Sequence, residues 1–141
     1  GGGGEGDGDR EGREGGGGGS LAGICCNQDL HLTQVWLPPR GSSKRRQAMA
    51  SLREPIAQPG YEVAVSITHL VTRRRDGHTT FRAVVPSRLW IQSGKPHITA
   101  FVPPGGAKAA ESASYSHAND DSVWVKPLQP PLELRMVCRW T

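Results

Sequence analysis

The sequence predicts a mainly β protein, a small antiparallel meander folded as a sandwich or open barrel with one short helix. Three observations carry that expectation. Residues 61–102 hold a two-residue apolar period broken by turn residues, residues 132–140 repeat that period, and helical stretches are few and short, 43–53 the longest. The alternatives are an α+β arrangement or a chain largely without order.

Residues 1–20 hold twelve Gly, five acids and two Arg, a net charge of −3. Ordering each Gly costs roughly 1 kcal/mol more than Ala and brings no side chain to offset it, so a disordered acidic tail is expected. No strand precedes the Gly run and no Gly-Lys-Ser/Thr follows, which excludes a phosphate loop.

Residues 21–60 read as a loosely ordered basic segment. Within it, 21–26 is short and apolar, and 30–37, with Val35 and Trp36, suits a strand stopped by Pro38-Pro39. Ser42 or Ser43 caps a helix over 43–53 that Pro55 forbids from continuing. Lys44, Arg45 and Arg46 occupy its first turn, where the helix dipole disfavours cations.

Residues 61–141 form the expected β-rich core. Val63, Val65, Ile67, His69 and Val71 alternate with polar residues, and Asp76-Gly77 turns the chain into a return strand over 79–85. A two-residue loop would set Val71 opposite Arg82 and mix charge into the apolar face. A three-residue loop over 75–77, with Gly77 left-handed, sets Val71 opposite Phe81, His69 opposite Ala83 and Ile67 opposite Val85, and is the expected register. Pro86 ends that strand, 88–92 suits a third and 97–102 a fourth, closed by Pro103-Pro104-Gly105-Gly106.

Beyond the meander, 107–115 suits a turn of helix, 116–122 a polar loop and 123–125 a brief strand. Three prolines force 126–131 to be extended. Over 132–140, Leu132, Leu134, Met136, Cys138 and Trp140 share one face, which needs the meander as its partner.

At 141 residues with 35% hydrophobic and 6% aromatic content, 19 Gly and 11 Pro, the chain has material for one domain with a thin core and marginal stability. Three Cys without a C-x-x-C spacing argue against a disulfide framework. No apolar run spans a bilayer and no leader opens the chain, so the expectation is an intracellular protein, cytoplasmic or nuclear, with no membrane partner. Its oligomeric state is left open.

Charge is regional. Residues 40–95 carry eleven bases against three acids, a net of +8, while 96–141 are balanced. Lys44-Arg45-Arg46 and Arg73-Arg74-Arg75, with Arg82 and Arg88, are the candidate residues for binding nucleic acid, another anion or an acidic protein surface. The second triplet lies at a hairpin tip, from which its side chains are expected to splay outward, with Tyr61, Phe81 and Trp90 as stacking candidates. Five or so phosphate contacts would give a log-log salt slope of about −4. Lys44-Arg45-Arg46 also has the form of a nuclear import signal. The bland reading of the same charges is solubility.

His31-Leu32-Thr33 and His97-Ile98-Thr99 echo one another, each followed by apolar residues and Pro-Pro. This pair resembles the H-x-T motifs of the two-histidine phosphoesterases. The resemblance implies an acid and a base in His31 and His97, and phosphate binding by Thr33 and Thr99. Residues two apart on a strand point the same way, so each triplet can present both side chains to one substrate. His78-Thr79-Thr80 shows that similar triplets also arise incidentally.

Cys25-Cys26 with His31 lacks zinc-site spacing, and Asn119, Asp120 and Asp121 lack a calcium loop's alternation, so no metal and no cofactor are expected. The P-x-x-P at 127–130 lacks a correctly spaced flanking base for an SH3 ligand, and His69 reads as a core or rim histidine. The first functional reading is a non-catalytic binding or structural module with a basic surface. The second is a phosphoesterase-like enzyme, and the third is a poorly constrained reading frame without a defined function.

Overall fold

In the computed structural model six antiparallel strands close into a barrel, and the described residues are 19–53 and 58–141. Most of the tail expected to be disordered, and the helix stop at Pro55, lie outside them. The strands are β1 (Leu21–Asn27), β2 (Leu30–Leu37), β3 (Glu62–Arg73), β4 (Thr79–Val84), β5 (His97–Phe101) and β6 (Val123–Trp140). Around the barrel they run β1-β2-β5-β4-β3-β6, with β6 hydrogen-bonded to both β3 and β1. Closure pairs the edges that an open meander would leave exposed. Residues 21–37 are thus part of the barrel wall and not a loose appendage.

The helix forms as α1, Ser43–Ala50, capped by the Ser42 hydroxyl, which accepts from the Lys44 N–H at 3.2 Å. It buries none of its residues and lies against β2. Residues Ala109–Ser114 make a 3-10 helix.

The hairpin between β3 and β4 departs from the expected register. Its loop is four residues, 74–77, closed by Arg73 N–H to His78 C=O (2.7 Å) and Gly77 N–H to Arg73 C=O (2.8 Å). Gly77 is left-handed as expected, at φ +79°. Val71 therefore pairs with Thr80, Leu70 with Phe81 and His69 with Arg82. The Asp76 carboxylate selects the longer loop by accepting from the His78 N–H and gripping the Arg73 guanidinium.

A bulge between Ile67 and His69 then reverses which side of β3 faces inward. Val63, Val65 and Ile67 fill the barrel with Leu32, Ile98, Met136, Cys25 and Cys138, whereas Val71 packs outside it with Tyr115 and Val123. His69 consequently lies on the outer side, beside Arg82, rather than on one apolar face with Val65. Two of the three prolines of β6, Pro130 and Pro131, fall where its pairing to β3 lapses, between Ile67↔Leu132 and His69↔Pro127, so their missing N–H groups cost few ladder bonds, while Pro127 borders the gap opposite His69.

Residues 88–92 are not a strand. Leu89 N–H bonds to Pro86 C=O and Gly94 N–H to Ile91 C=O, making two turns. Leu89 and Ile91 still enter the core, so the apolar alternation marks burial correctly and the element wrongly.

Candidate active site

β2 and β5 meet at Leu32↔Ile98, both fully buried. Residues flanking such an antiparallel pair project to the opposite side and oppose one another. By that rule His31 falls across from Thr99, and Thr33 across from His97, on the outer wall; of the four, Thr33, His97 and Thr99 line a common cavity and His31 does not.

A cavity of about 320 Å³ opens at this place, lined by Thr33, Trp36, Gln92, His97 and Thr99, with Ala109 from the 3-10 helix on one side. His97 Nδ1 lies 2.7 Å from the Lys95 carbonyl, which can only accept, so Nδ1 carries the proton and Nε2 offers its lone pair. The Thr99 hydroxyl is 2.8 Å from that of Ser112. Gln92 brackets the backbone of Trp36, accepting from its N–H (2.9 Å) and donating to its C=O (3.2 Å), and the indole is 48% exposed.

The surroundings are cationic. β4 sets Arg82 opposite His97, with His69 beyond it on β3. Arg82 donates to the Ser116 and Ala118 carbonyls (2.9 and 2.7 Å) and to Asn119 Oδ1 (3.2 Å), which ties loop 115–119 to the wall. Burial first, then Arg82, His97 and Lys95, push His117 below the usual histidine range. Burial and Arg82 do the same to His69, whose Nδ1 is 2.8 Å from the Thr68 hydroxyl. An anion placed here would meet positive potential from several sides.

The arginine candidates do not form one surface. Arg73, expected to splay outward, is buried: it donates to Asp76 Oδ1 and Oδ2 (3.0 and 2.6 Å) and to Glu111 Oε1 (2.8 Å) and lies over the Tyr115 ring. Two carboxylates within reach outweigh solvation of this one guanidinium. Arg74 lies 5.0 Å over the exposed Trp124 ring, and Arg75 is exposed, 3.9 Å from Glu111. Arg88 covers Tyr61, donating to its hydroxyl at 2.7 Å. On α1, Arg45 donates to the Pro38 carbonyl at 2.8 Å, while Lys44 and Arg46 are exposed.

Arg73 belongs to a fastening that the sequence did not disclose. Buried His78 has Nε2 2.9 Å from the Lys108 carbonyl, so Nε2 donates there and Nδ1 accepts from the Tyr115 hydroxyl. Burial pushes the Tyr115 phenol up to about 12. Arg73 holds the carboxyls of Asp76 and Glu111 below their usual range. Folding is therefore favoured by their ionised forms: this contribution is complete above the unfolded values of about 4 and fades as pH falls through the depressed folded values. Asp76→Asn is expected to lower the thermal midpoint at pH 7 and to flatten its decline below pH 4. An unchanged acid profile would show that the pair does not fasten the hairpin.

Gln92, Lys95 and Ser112 join the site without any sequence signal, because a loop and a 3-10 turn bring them there, while Trp36 comes with β2. Among the described residues no helix is long and apolar enough to cross a membrane. No family model, no curated protein and no solved structure matches the chain.

Proposed function

We propose that the wall formed by β2 and β5 is a phosphodiester-cleaving site, with His31 and His97 as the acid–base pair. The observation that carries this reading is the Leu32↔Ile98 register, which juxtaposes two triplets lying 66 residues apart in the chain. A wall-building need for apolar residues at 32 and 98 explains their burial, but not matched histidines and threonines outside them.

The phosphorus sits between the strands, and the Thr33 hydroxyl donates to a non-bridging oxygen, joined by that of Thr99 once it turns from the Ala109 carbonyl, 3.4 Å away. His97 Nε2, held by the Nδ1–H bond to Lys95, takes a proton from attacking water as the new P–O bond forms. His31, as imidazolium, donates its proton to the leaving ester oxygen as the old P–O bond breaks. One diester and one water give one monoester and one alcohol. Arg82 and Lys95 lend positive potential to the charge that accumulates on phosphorus oxygens. The exposed Trp36 indole at the cavity rim suits stacking of a nucleobase, which makes a nucleotide the fitting ester.

The experiment is hydrolysis of 2′,3′-cyclic nucleoside monophosphates by the full chain, followed by phosphorus NMR. Monoester is expected to accumulate in proportion to enzyme, and Trp36→Ala to raise KM several-fold with kcat little changed. A protein that leaves every cyclic nucleotide intact at high enzyme concentration refutes the reading.

The second reading keeps the basic surface as an anion-binding face without catalysis. Arg74 stacked on exposed Trp124, with Arg75 beside it, favours a single-stranded nucleic acid. RNA binding should then weaken with salt, and removing Arg74 or Arg75 should reduce the log-log slope by about 1 each. Binding indifferent to salt counts against it.

A further inference from the structure

Cys25 on β1 lies directly opposite Cys138 on β6, and their sulfurs are 3.1 Å apart. Both residues are fully buried. The ladder shows which kind of pair this is. Ala22 and Thr141 exchange both backbone bonds (3.0 and 2.9 Å), so the alternation along antiparallel strands makes Ile24/Arg139 a bonded pair and Cys25/Cys138 a non-bonded one. The backbone of Cys138 agrees: its N–H and C=O bond to Tyr61 and Gly60, on the other side of β6.

Non-bonded pairs bring Cα atoms to about 4.5 Å, within the window of roughly 4.4–6.8 Å that a disulfide requires. Closing the sulfurs from 3.1 Å to a bond of about 2.05 Å asks for side-chain adjustment, not backbone movement. Cys26 is placed differently. It is half-buried, its side chain lies on the other face of β1, and its Sγ is 3.4 Å from the Val137 carbonyl.

We propose that Cys25 and Cys138 are a thiol–disulfide pair whose oxidation covalently joins β1 to β6, leaving Cys26 as the free thiol. The oxidant is a small-molecule disulfide such as oxidised glutathione. One cysteine thiolate attacks it, forming a mixed disulfide and expelling one glutathione thiolate. The second cysteine thiolate attacks the protein sulfur of that mixed disulfide and expels the other. Two S–H bonds are lost, one S–S bond is exchanged for another, the two protons pass to the departing thiolates, and two glutathione thiols result.

Burial controls the rate. In the closed barrel, burial and then the bond to Cys138 raise the Cys25 thiol far above the usual range, so little thiolate exists to attack. Exchange must pass through states in which β1 has parted from β6, or occur before the barrel closes. The oxidised pair would be shielded from reductants in the same way.

The test uses the full chain, reduced and then held in glutathione buffers from fully reduced to mostly oxidised. One arm starts from native protein and a second refolds from guanidinium in the same buffers, so slow opening cannot hide the outcome. Samples are alkylated and analysed by intact mass and peptide mapping. The expected product has lost about 2 Da, retains one alkylatable thiol of three, and yields a linked Cys25–Cys138 peptide. Dithiothreitol should restore all three thiols, and Cys26→Ser should leave the linkage unchanged. Three alkylatable thiols after refolding in oxidising buffer, or linkage through Cys26, would overturn the proposal.

Discussion

His97→Ala is expected to reduce cyclic-nucleotide hydrolysis by on the order of 10²- to 10⁴-fold, the usual worth of a positioned general base. The fold should survive, since His97 is half-buried on the outer wall and its one bond runs to a neighbouring backbone carbonyl. His97→Asn separates chemistry from placement, because a carboxamide donates to the Lys95 carbonyl but offers no basic nitrogen. It should be as inactive as the Ala variant. A His97→Asn protein working within a few-fold of the parent would remove His97 from the role of base, and equal losses from His78→Ala would point to damage of the fold instead.

The other large effect lies beneath the site. Leu32→Ala should destabilise the barrel by about 2–5 kcal/mol, since Leu32 is fully buried against Ile98 and a close-packed core leaves a cavity when a large side chain is cut. Small domains hold only about 5–15 kcal/mol in all, and this thin-cored chain belongs near the low end. Leu32→Met keeps the volume and should cost under about 1.5 kcal/mol. Val84→Ala, on a side chain 56% exposed, should stay within about 0.5 kcal/mol. Denaturant midpoints decide the matter: a Leu32→Ala loss as small as that of Val84→Ala would mean that the two strands do not pack at this point.

Where side chains alternate between water and core, the sequence was legible. The spans 30–37 and 97–102 appear almost unchanged as β2 and β5, and the final strand pairs with the meander. The strand candidate at 123–125 and the extended prolines proved to be one element with it, β6. The hairpin register was not legible, because both registers the residues suggest assume one apolar face while β3 serves two. A bulge costs one residue and no recognisable motif, and it moves Val71 from the barrel interior to the outer cluster. The burial of Arg73 was hidden for a related reason: its counter-charge Glu111 is 38 residues away and meets it only in the fold. The two H-x-T triplets could be found from the residues, but their adjacency depended on β2 lying next to β5, which strand patterns do not encode.

The position of β6 has a consequence for how the protein comes into being. It is the stave that closes the barrel, and it joins residues 23–26 to 137–140, the far ends of the described chain. Such distant pairing places folding among slow, high-contact-order topologies, on the scale of milliseconds to seconds. During synthesis the first five strands emerge while their closing partner is still in the ribosome. The unpaired edges of β1 and β3 then face other nascent chains, and β6 from one molecule can close the barrel of another. Yield in a cell should therefore depend on chain density and chaperone supply more than on the stability of the finished barrel.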